Sequence, residues 1–314
     1  MSALAHEATP RFEHATLCYR DDAEFLDLVG GFVRDGVERD EAVLVAEPTG
    51  RLAQLRDALG GDARRVEWLD MTEAGANPAR IIALWAEFVS LGEEAGRAMR
   101  GVGEPAWPGR RPEELDECRL HELLLNRQFD DGPGWLLVCP YDITGLPAYV
   151  VAESLRTHPL RYDHDGFTTT SSYDGLLVDR TFAAPLPAPP ADARTLAYDA
   201  PSAALVRTAL QDFGASCGVT GERLEDLSVA GWEIAVNSIQ HGGGRGVLRL
   251  WREPGAMLVQ FEDDGVITDA LVGRQTPPLD GTGGRGVYLA HQLCDLVHLR
   301  SSTGGTVVRL VTWL

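Results

Sequence analysis

The 314-residue chain contains no lysine, and its 28 cationic side chains are all arginine. That absence excludes a P-loop lysine, a Schiff-base lysine and the lysine of eukaryotic-type protein kinases. Positive charge is scarce altogether. With 47 acidic residues the formal net charge is −19 and the pI about 4.8, so direct binding of a nucleic-acid backbone is not expected. Acidity also serves solubility and by itself names no partner. The five cysteines, Cys18, Cys118, Cys139, Cys217 and Cys294, are scattered, odd in number and form no C-x-x-C pair. Reduced, mostly buried thiols are the expectation. No stretch approaches the roughly 18 apolar residues of a membrane helix. The opening MSALAHEATPRFEH lacks the basic start and apolar core of an export signal. These absences predict a cytoplasmic protein with no membrane association.

What is present suits two domains, each large enough to bury a core. From Ala15 to about Asp165, short apolar runs (ATLCY, AVLVAE, VEWLDM, RGVGEP, WLLVCPYD) alternate with longer helical patterns. In NPARIIALWAEFVSLGEEAG, for example, Ile81, Leu84, Trp85, Phe88 and Val89 recur at helical spacing. Five β/α units on a parallel sheet are predicted. The stretch AAPLPAPPADA, Ala183 to Ala193, reads as an extended Pro-rich linker. The expected organisation is an α/β domain over residues 1–180, a linker over 181–194 and a second domain over 195–314.

The second domain shows helical patterns around Ala203–Ser216 and Arg223–His241, then strand-like GVLRLWRE and AMLVQFED, a Gly-rich loop, a helix and closing strands VHLRSS and TVVRLVTWL. An α+β two-layer sandwich follows, with helices over one face of a mainly antiparallel sheet. WEIAVNSIQHG places Glu233, Asn237 and His241 at i, i+4 and i+8, one polar stripe on an otherwise apolar helix. A carboxylate beside an amide oxygen suits Mg²⁺ held against phosphates, with Glu233 as general base and Asn237 as metal ligand. Such residues also occur on ordinary helix surfaces. AMLVQFE then runs into Asp263-Asp264-Gly265, where a strand-end carboxylate can accept a hydrogen bond from the exocyclic amine of adenine. Gly281 to Gly286, GTGGRG with Arg285, opens onto a helix and offers backbone N–H groups to phosphate. Each element alone is common, but the three in this order point to an ATP site.

EIAVNSIQHG, EDDG and GTGGRGVYLA resemble the N, G1 and G2 boxes of the GHKL ATPase/kinase superfamily over roughly Thr195 to Leu314. Within it the short domain, the box ending at His241-Gly242 and the closing strand pair resemble anti-sigma-factor serine kinases most. The resemblance implies a Bergerat-type fold, ATP and Mg²⁺ as cofactors, and phosphorylation of a serine or threonine on a STAS-type anti-sigma-factor antagonist, with capture of a sigma factor. It casts Glu233 as base, Asn237 as Mg²⁺ ligand, Asp263 as adenine partner, and Gly265, Gly283, Gly284 and Gly286 as nucleotide-loop positions. Ile267 departs from the D-x-G-x-G pattern, and its branched side chain would narrow the pocket. His241 reads as a helix-end residue near the C-terminal dipole.

In the first domain, residues at predicted strand ends gather where open α/β sheets bind ligands. Tyr19, Glu104, Trp107, Tyr141 and Asp142 would line a small-molecule pocket there, although strand-to-helix loops are polar in any such protein. His14, Cys118, His121, Cys139 and His158 show no zinc-like spacing and read as core or surface residues. FEHATLCYR, NPARII, GVGEPAWPGR, ECRLHELLLN and LVCPYD resemble the MEDS family, the methanogen/methylotroph sensory domain, over roughly Glu13 to Pro159. That resemblance implies a sensory module of RecA-like fold without a P-loop. A small-molecule signal and a homodimer are the remaining partner expectations. Two alternatives stand beside the serine kinase: a sensor histidine kinase using His121 as phosphoacceptor, and a non-catalytic binding module.

Overall fold

The computed structural model describes residues 11–278 and 285–314. They fall into two compact units: the chain up to Gly75 together with Leu84–Gly175, and Ala76–Ala83 together with Leu176–Leu314.

The first unit contains β1 (Glu13–Tyr19), α1 (Asp22–Glu38), β2 (Ala42–Glu47), α2 (Thr49–Leu59), β3 (Glu67–Asp70), the short α3 (Met71–Ala74) and most of α4 (Ile81–Glu94). It continues with β4 (Met99–Gly103), α5 (Pro112–Phe129), β5 (Leu136–Asp142), α6 (Ala148–Thr157), β6 (Leu160–Asp163) and β7 (Gly166–Thr169). The seven strands lie in the order β3-β2-β4-β5-β1-β6-β7. All neighbours are parallel except the β6–β7 hairpin. The sequence offered no strand signal after WLLVCPYD in this unit, so the hairpin was not legible in it.

Strand parity decides which side chains meet which helices. Ala15, Leu17 and Tyr19 of β1 join Val43, Val45, Val102 and Val138 in a core with Phe25, Phe32, Leu52 and Leu55 of α1 and α2. The alternate residues face α5 and α6, so Thr16 bonds Ser154 and Tyr141 bonds Glu122. Glycine in β4 has a packing reason. A Cβ on Gly101 or Gly103 would lie 2.7 or 2.8 Å from the Trp85 ring, which rests directly on the strand.

The second unit comprises α7 (Leu177–Ala183), β8 (Arg194–Asp199), α8 (Ala204–Ser216), α9 (Glu222–His241), β9 (Arg245–Glu253), β10 (Ala256–Asp263), α10 (Arg285–Leu293), β11 (Leu296–Ser302) and β12 (Gly305–Trp313). Its five strands form an antiparallel sheet in the order β11-β12-β10-β9-β8. Alternation along β10 sends Val259 and Phe261 toward the helices and Leu258 into a cluster with Trp251, Leu296 and Val311 on the other face. The Pro-rich stretch is fastened to this unit, because the Arg309 guanidinium donates to Pro187 O at 2.6 Å while stacking on Trp251. Residues 76–83 also belong to it. Asn77 and Arg80 donate to the carbonyls of His291, Gln292 and Cys294, groups left without helical partners at the end of α10. No helix among the described residues is long and apolar enough to cross a membrane.

Candidate functional site

Helix α9 buries Leu227, Ala230, Gly231, Ile234, Ala235 and Ser238, a stripe at three- and four-residue spacing that seats it on the sheet and α8. Gly231 allows the close approach, since a Cβ there would lie 2.4 Å from Leu210 Cδ1. Glu233 and Asn237 occupy the flank of that stripe, half-buried, and His241 ends it exposed. Helix α10 begins against them. A Cβ on Gly286 would lie 3.0 Å from both Asn237 Nδ2 and Glu233 Oε2, so a side chain there would crowd these polar ends and glycine leaves them room beside the helix start. The carboxylate and amide thus sit at the positive end of a helix dipole.

Strand β10 delivers Asp263 to the same cavity. Its Oδ2 accepts from Ser238 Oγ at 2.7 Å and its Oδ1 from Gly265 N–H at 2.9 Å. The end of α9 and the loop after β10 meet backbone to backbone: Asp264 N–H donates to Gly242 O, and a Cβ on Gly242 would strike Asp263 Cγ at 2.4 Å. A Cβ on Gly265 would be 2.7 Å from His241 O. Thr306 of β12 closes the far side by donating to Gly265 O at 2.8 Å.

These elements surround a pocket of about 690 Å³, counting its open mouth, lined by Ile234, Asn237, His241, Asp263, Gly265, Val266, Ile267, Val272, Val287, Thr306 and Val308. Its walls are mainly aliphatic, with one fixed carboxylate. That composition suits a flat heteroaromatic ring bearing an exocyclic amine. Ile267 lines the pocket while its N–H donates to Ser301 Oγ at 2.8 Å. Among the described residues only Asp40 is a non-glycine with positive φ. The backbone at Ile267 therefore has no conformational need for glycine, and the residue acts on the pocket through its bulk.

The fold brings together Glu233, Asn237, Asp263, Gly265 and Gly286. Arg285 is exposed at the start of α10 and donates to Pro278 O at 3.1 Å. Gly281, Gly283 and Gly284 lie outside the described residues. Sequence reading missed Ser238 and Thr306 and met Gly242 only as the end of a motif; all three hold Asp263 and its loop in place. Ser238 adjoins Asn237, but nothing in a single sequence marks a helical serine as an aspartate's donor.

In the first unit the five candidate pocket residues do not share one cavity. Tyr19 donates to Glu104 Oε1 at 2.9 Å, and Arg51 reaches the same hydroxyl at 3.4 Å. Glu47 and Glu104 follow paired positions of β2 and β4 and are buried together. Burial, and next the negative charge of Glu104, hold the Glu47 carboxyl well above the ordinary carboxylate range. Burial also raises Glu104, against the hydrogen bond from Tyr19. Trp107 stacks under the Arg110 guanidinium, 3.6 Å from its centroid. Asp142 caps a turn by accepting from Thr144 and Gly145. Tyr141 has the opposite parity from Tyr19, because Cys18 is its register partner on β1. It lines a different pocket, about 430 Å³ with its mouth, together with Ala106, Leu115, Cys118, Val150 and Ser154.

Two family models match the chain. Residues 13–159 match MEDS, the MEthanogen/methylotroph, DcmR Sensory domain, and residues 196–312 match the histidine kinase-like ATPase domain. No curated protein matches. Among solved structures, the RsbU and RsbW domains of a Mycobacterium tuberculosis protein are 20% identical over 38% of this chain, with a TM-score of 0.29. The chain spans about a third of that structure's length, 32%. The SiaB–SiaC complex from Pseudomonas aeruginosa is 13% identical over 37% of this chain and 88% of its own, also with a TM-score of 0.29. Likenesses this partial leave the functional argument to the site itself. On its two family matches, the chain carries a MEDS sensory domain followed by a histidine kinase-like ATPase domain.

Proposed function

We propose that the chain is a cytosolic, signal-responsive anti-sigma regulatory factor. Its second domain binds ATP with Mg²⁺, phosphorylates a serine or threonine of a STAS-type anti-sigma-factor antagonist, and sequesters a sigma factor. The observation that supports this most is the convergence of Glu233 and Asn237 on the start of α10, beside a pocket holding Asp263 fixed from two sides.

The donor set fits the ligands. Asp263 uses one lone pair on each oxygen for Ser238 and Gly265 and keeps others for an adenine amine. Asn237 offers a hard oxygen for Mg²⁺ and Glu233 a carboxylate to serve as base, and the glycine at 286 leaves space beside both. Bound Mg²⁺ would neutralise phosphate charge during transfer. Glu233 would take the proton of the attacking hydroxyl as its oxygen bonds to the γ-phosphorus and the bond to ADP breaks. The N–H groups at the start of α10 would face phosphate oxygens.

The MEDS domain would supply the signal, a small molecule recognised in the first unit. The histidine-kinase alternative gains no support from α5, where His121 is buried at 1% exposure. The test is incubation of the full chain with labelled Mg-ATP and a co-encoded antagonist. Acid-stable label on the antagonist, lost with Glu233→Gln, is expected. Acid-labile label on the chain itself would return the histidine kinase. A wild-type chain that binds nucleotide and sigma factor yet labels no antagonist would leave only a binding module.

A further inference from the structure

Four buried donor groups from four separate parts of the first unit converge between the sheet and helices α5 and α6. They are His14 of β1, Glu122 of α5, Cys139 of β5 and His158 at the junction of α6 and β6, each at most 1% exposed. His14 Nε2 lies 3.1 Å from Glu122 Oε2 and 3.3 Å from Cys139 Sγ. His158 Nε2 lies 3.4 Å from Glu122 Oε2, which is 3.6 Å from Cys139 Sγ. All four atoms fall within 4.8 Å of one another. We propose that His14, Glu122, Cys139 and His158 form a closed, four-ligand site for a thiophilic divalent transition-metal ion of the Zn²⁺ or Fe²⁺ kind.

The spacing approaches that of a coordination tetrahedron. Metal–nitrogen and metal–oxygen bonds of about 2.0–2.1 Å and a metal–sulfur bond of about 2.3 Å set neighbouring ligand atoms about 3.3–3.6 Å apart. Four of the six edges, at 3.1, 3.3, 3.4 and 3.6 Å, lie at or near those values, and the remaining two are bounded at 4.8 Å.

The surrounding hydrogen bonds turn lone pairs toward the centre. Asn126 donates its amide to Glu122 O at 3.1 Å and to Thr157 O at 2.8 Å, so its Oδ1 faces His14 Nδ1, 3.1 Å away, as an acceptor. His14 Nδ1 therefore carries the proton and Nε2 the lone pair. His158 Nδ1 lies 2.8 Å from Ser154 O, a pure acceptor, which fixes the same tautomer. Its Nε2 is buried and has no hydrogen-bond partner. Glu122 turns Oε1 to the Tyr141 hydroxyl at 3.0 Å and Oε2 inward. Histidines oriented by carbonyl acceptors and carboxylates held by hydroxyls are the usual supports of protein metal ligands.

A proton count favours a cation over a plain hydrogen-bond cluster. The four inward atoms are two imidazole lone pairs, one carboxylate oxygen and one sulfur, and the thiol supplies a single proton among them. A metal ion replaces that proton, and thiolate plus carboxylate then balance its two charges, which permits full burial. Soft sulfur and imidazole nitrogen select Zn²⁺ or Fe²⁺ over Mg²⁺ or Ca²⁺. Four protein ligands leave no open position, so the ion acts as a fastener of β1, α5, β5 and α6. The pocket containing Tyr141 and Ser154, two of the supporting residues, adjoins the centre.

The proposal concerns the first unit alone and stands independently of the kinase reading. The test uses the full chain without a histidine tag, purified without chelator and assayed without nucleotide. Elemental analysis should find about one equivalent of zinc or iron, and which of the two identifies the resident ion. After metal removal, added Co²⁺ should produce a thiolate-to-Co²⁺ charge-transfer band. Cys139→Ser should abolish that band and Cys118→Ser should retain it. Should Cys139→Ser fail to fold, X-ray absorption on the zinc-loaded wild type decides, with one sulfur among nitrogen and oxygen neighbours expected. Absence of the band at saturating Co²⁺, its persistence in Cys139→Ser, or a coordination shell without sulfur would overturn the site.

Discussion

The Ser238 hydroxyl donates to Asp263 Oδ2 at 2.7 Å, locking the last turn of α9 to the end of β10. With Gly265 N–H on the other oxygen, the carboxylate cannot swing away from the pocket that it borders. A fixed acceptor costs no ordering when a ligand arrives, which is where selectivity for an exocyclic amine originates. Asp263→Asn keeps the shape but presents a donor on one side. ATP affinity should fall about 10- to 100-fold, the worth of one buried charge-assisted hydrogen bond. Calorimetric titration with a non-hydrolysable ATP analogue checks this, and unchanged affinity would remove Asp263 from the adenine contact.

Glu233 should separate chemistry from binding. Glu233→Gln preserves volume and the contact with Gly286 while deleting the base. Phosphate transfer to the antagonist should drop about 10²- to 10⁴-fold, the usual worth of a general base. Nucleotide affinity should stay within about threefold, because a group acting only in the transition state contributes little to ground-state binding. A parallel loss of both would reassign Glu233 to holding the nucleotide.

Much of this site was legible because its parts are local. Glu233 and Asn237 are one helical turn apart, and Asp263-Asp264-Gly265 directly follows an apolar strand, so spacing alone places them. What holds them was not legible, since Ser238, Gly242 and Thr306 act across 22 to 41 residues of chain. The cluster of His14, Glu122, Cys139 and His158 shows the same limit more strongly. Its members are each supplied by a different element, and no ligand spacing survives in the sequence. Reading His14, Cys139 and His158 as separate core residues follows from treating spacing as the only signal. Tyr141 parts from Tyr19 for a different reason, because Tyr19 pairs with Asp142 and the preceding Tyr141 faces the other side of the sheet.

Ile267 fills part of the pocket without straining the backbone. Ile267→Gly should therefore act by enlarging the cavity, and its N–H bond to Ser301 needs no side chain. If the branched side chain narrows the nucleotide slot, the variant should bind ATP several-fold more tightly and turn over faster. If Ile267 instead packs against the base, affinity should fall by a comparable factor, about 1–2 kcal/mol for the lost apolar contact. A fluorescent-nucleotide titration of both proteins distinguishes the two signs.

The buried Glu47–Glu104 pair should make the first unit less stable as pH rises. Both carboxyls are raised by burial, and Glu47 further by the charge of Glu104. Above the ordinary carboxylate value of about 4.5, the unfolded chain has released protons that the folded chain still holds. Stability then declines with increasing pH until the native carboxyls ionise as well, and below that value the pair contributes no pH dependence. Neither oxygen of Glu47 has a hydrogen-bond partner, so its ionised form is left buried and unsatisfied. Glu47→Gln removes the ionisable group at nearly constant volume. It should raise the melting temperature at pH 8 by several degrees, equivalent to about 1–3 kcal/mol. The difference from wild type should shrink toward pH 5, where the native pair is protonated. Melting curves of both proteins at the two pH values give the answer, and an equal shift at each would mean that the native Glu47 carboxyl is not raised above its ordinary value.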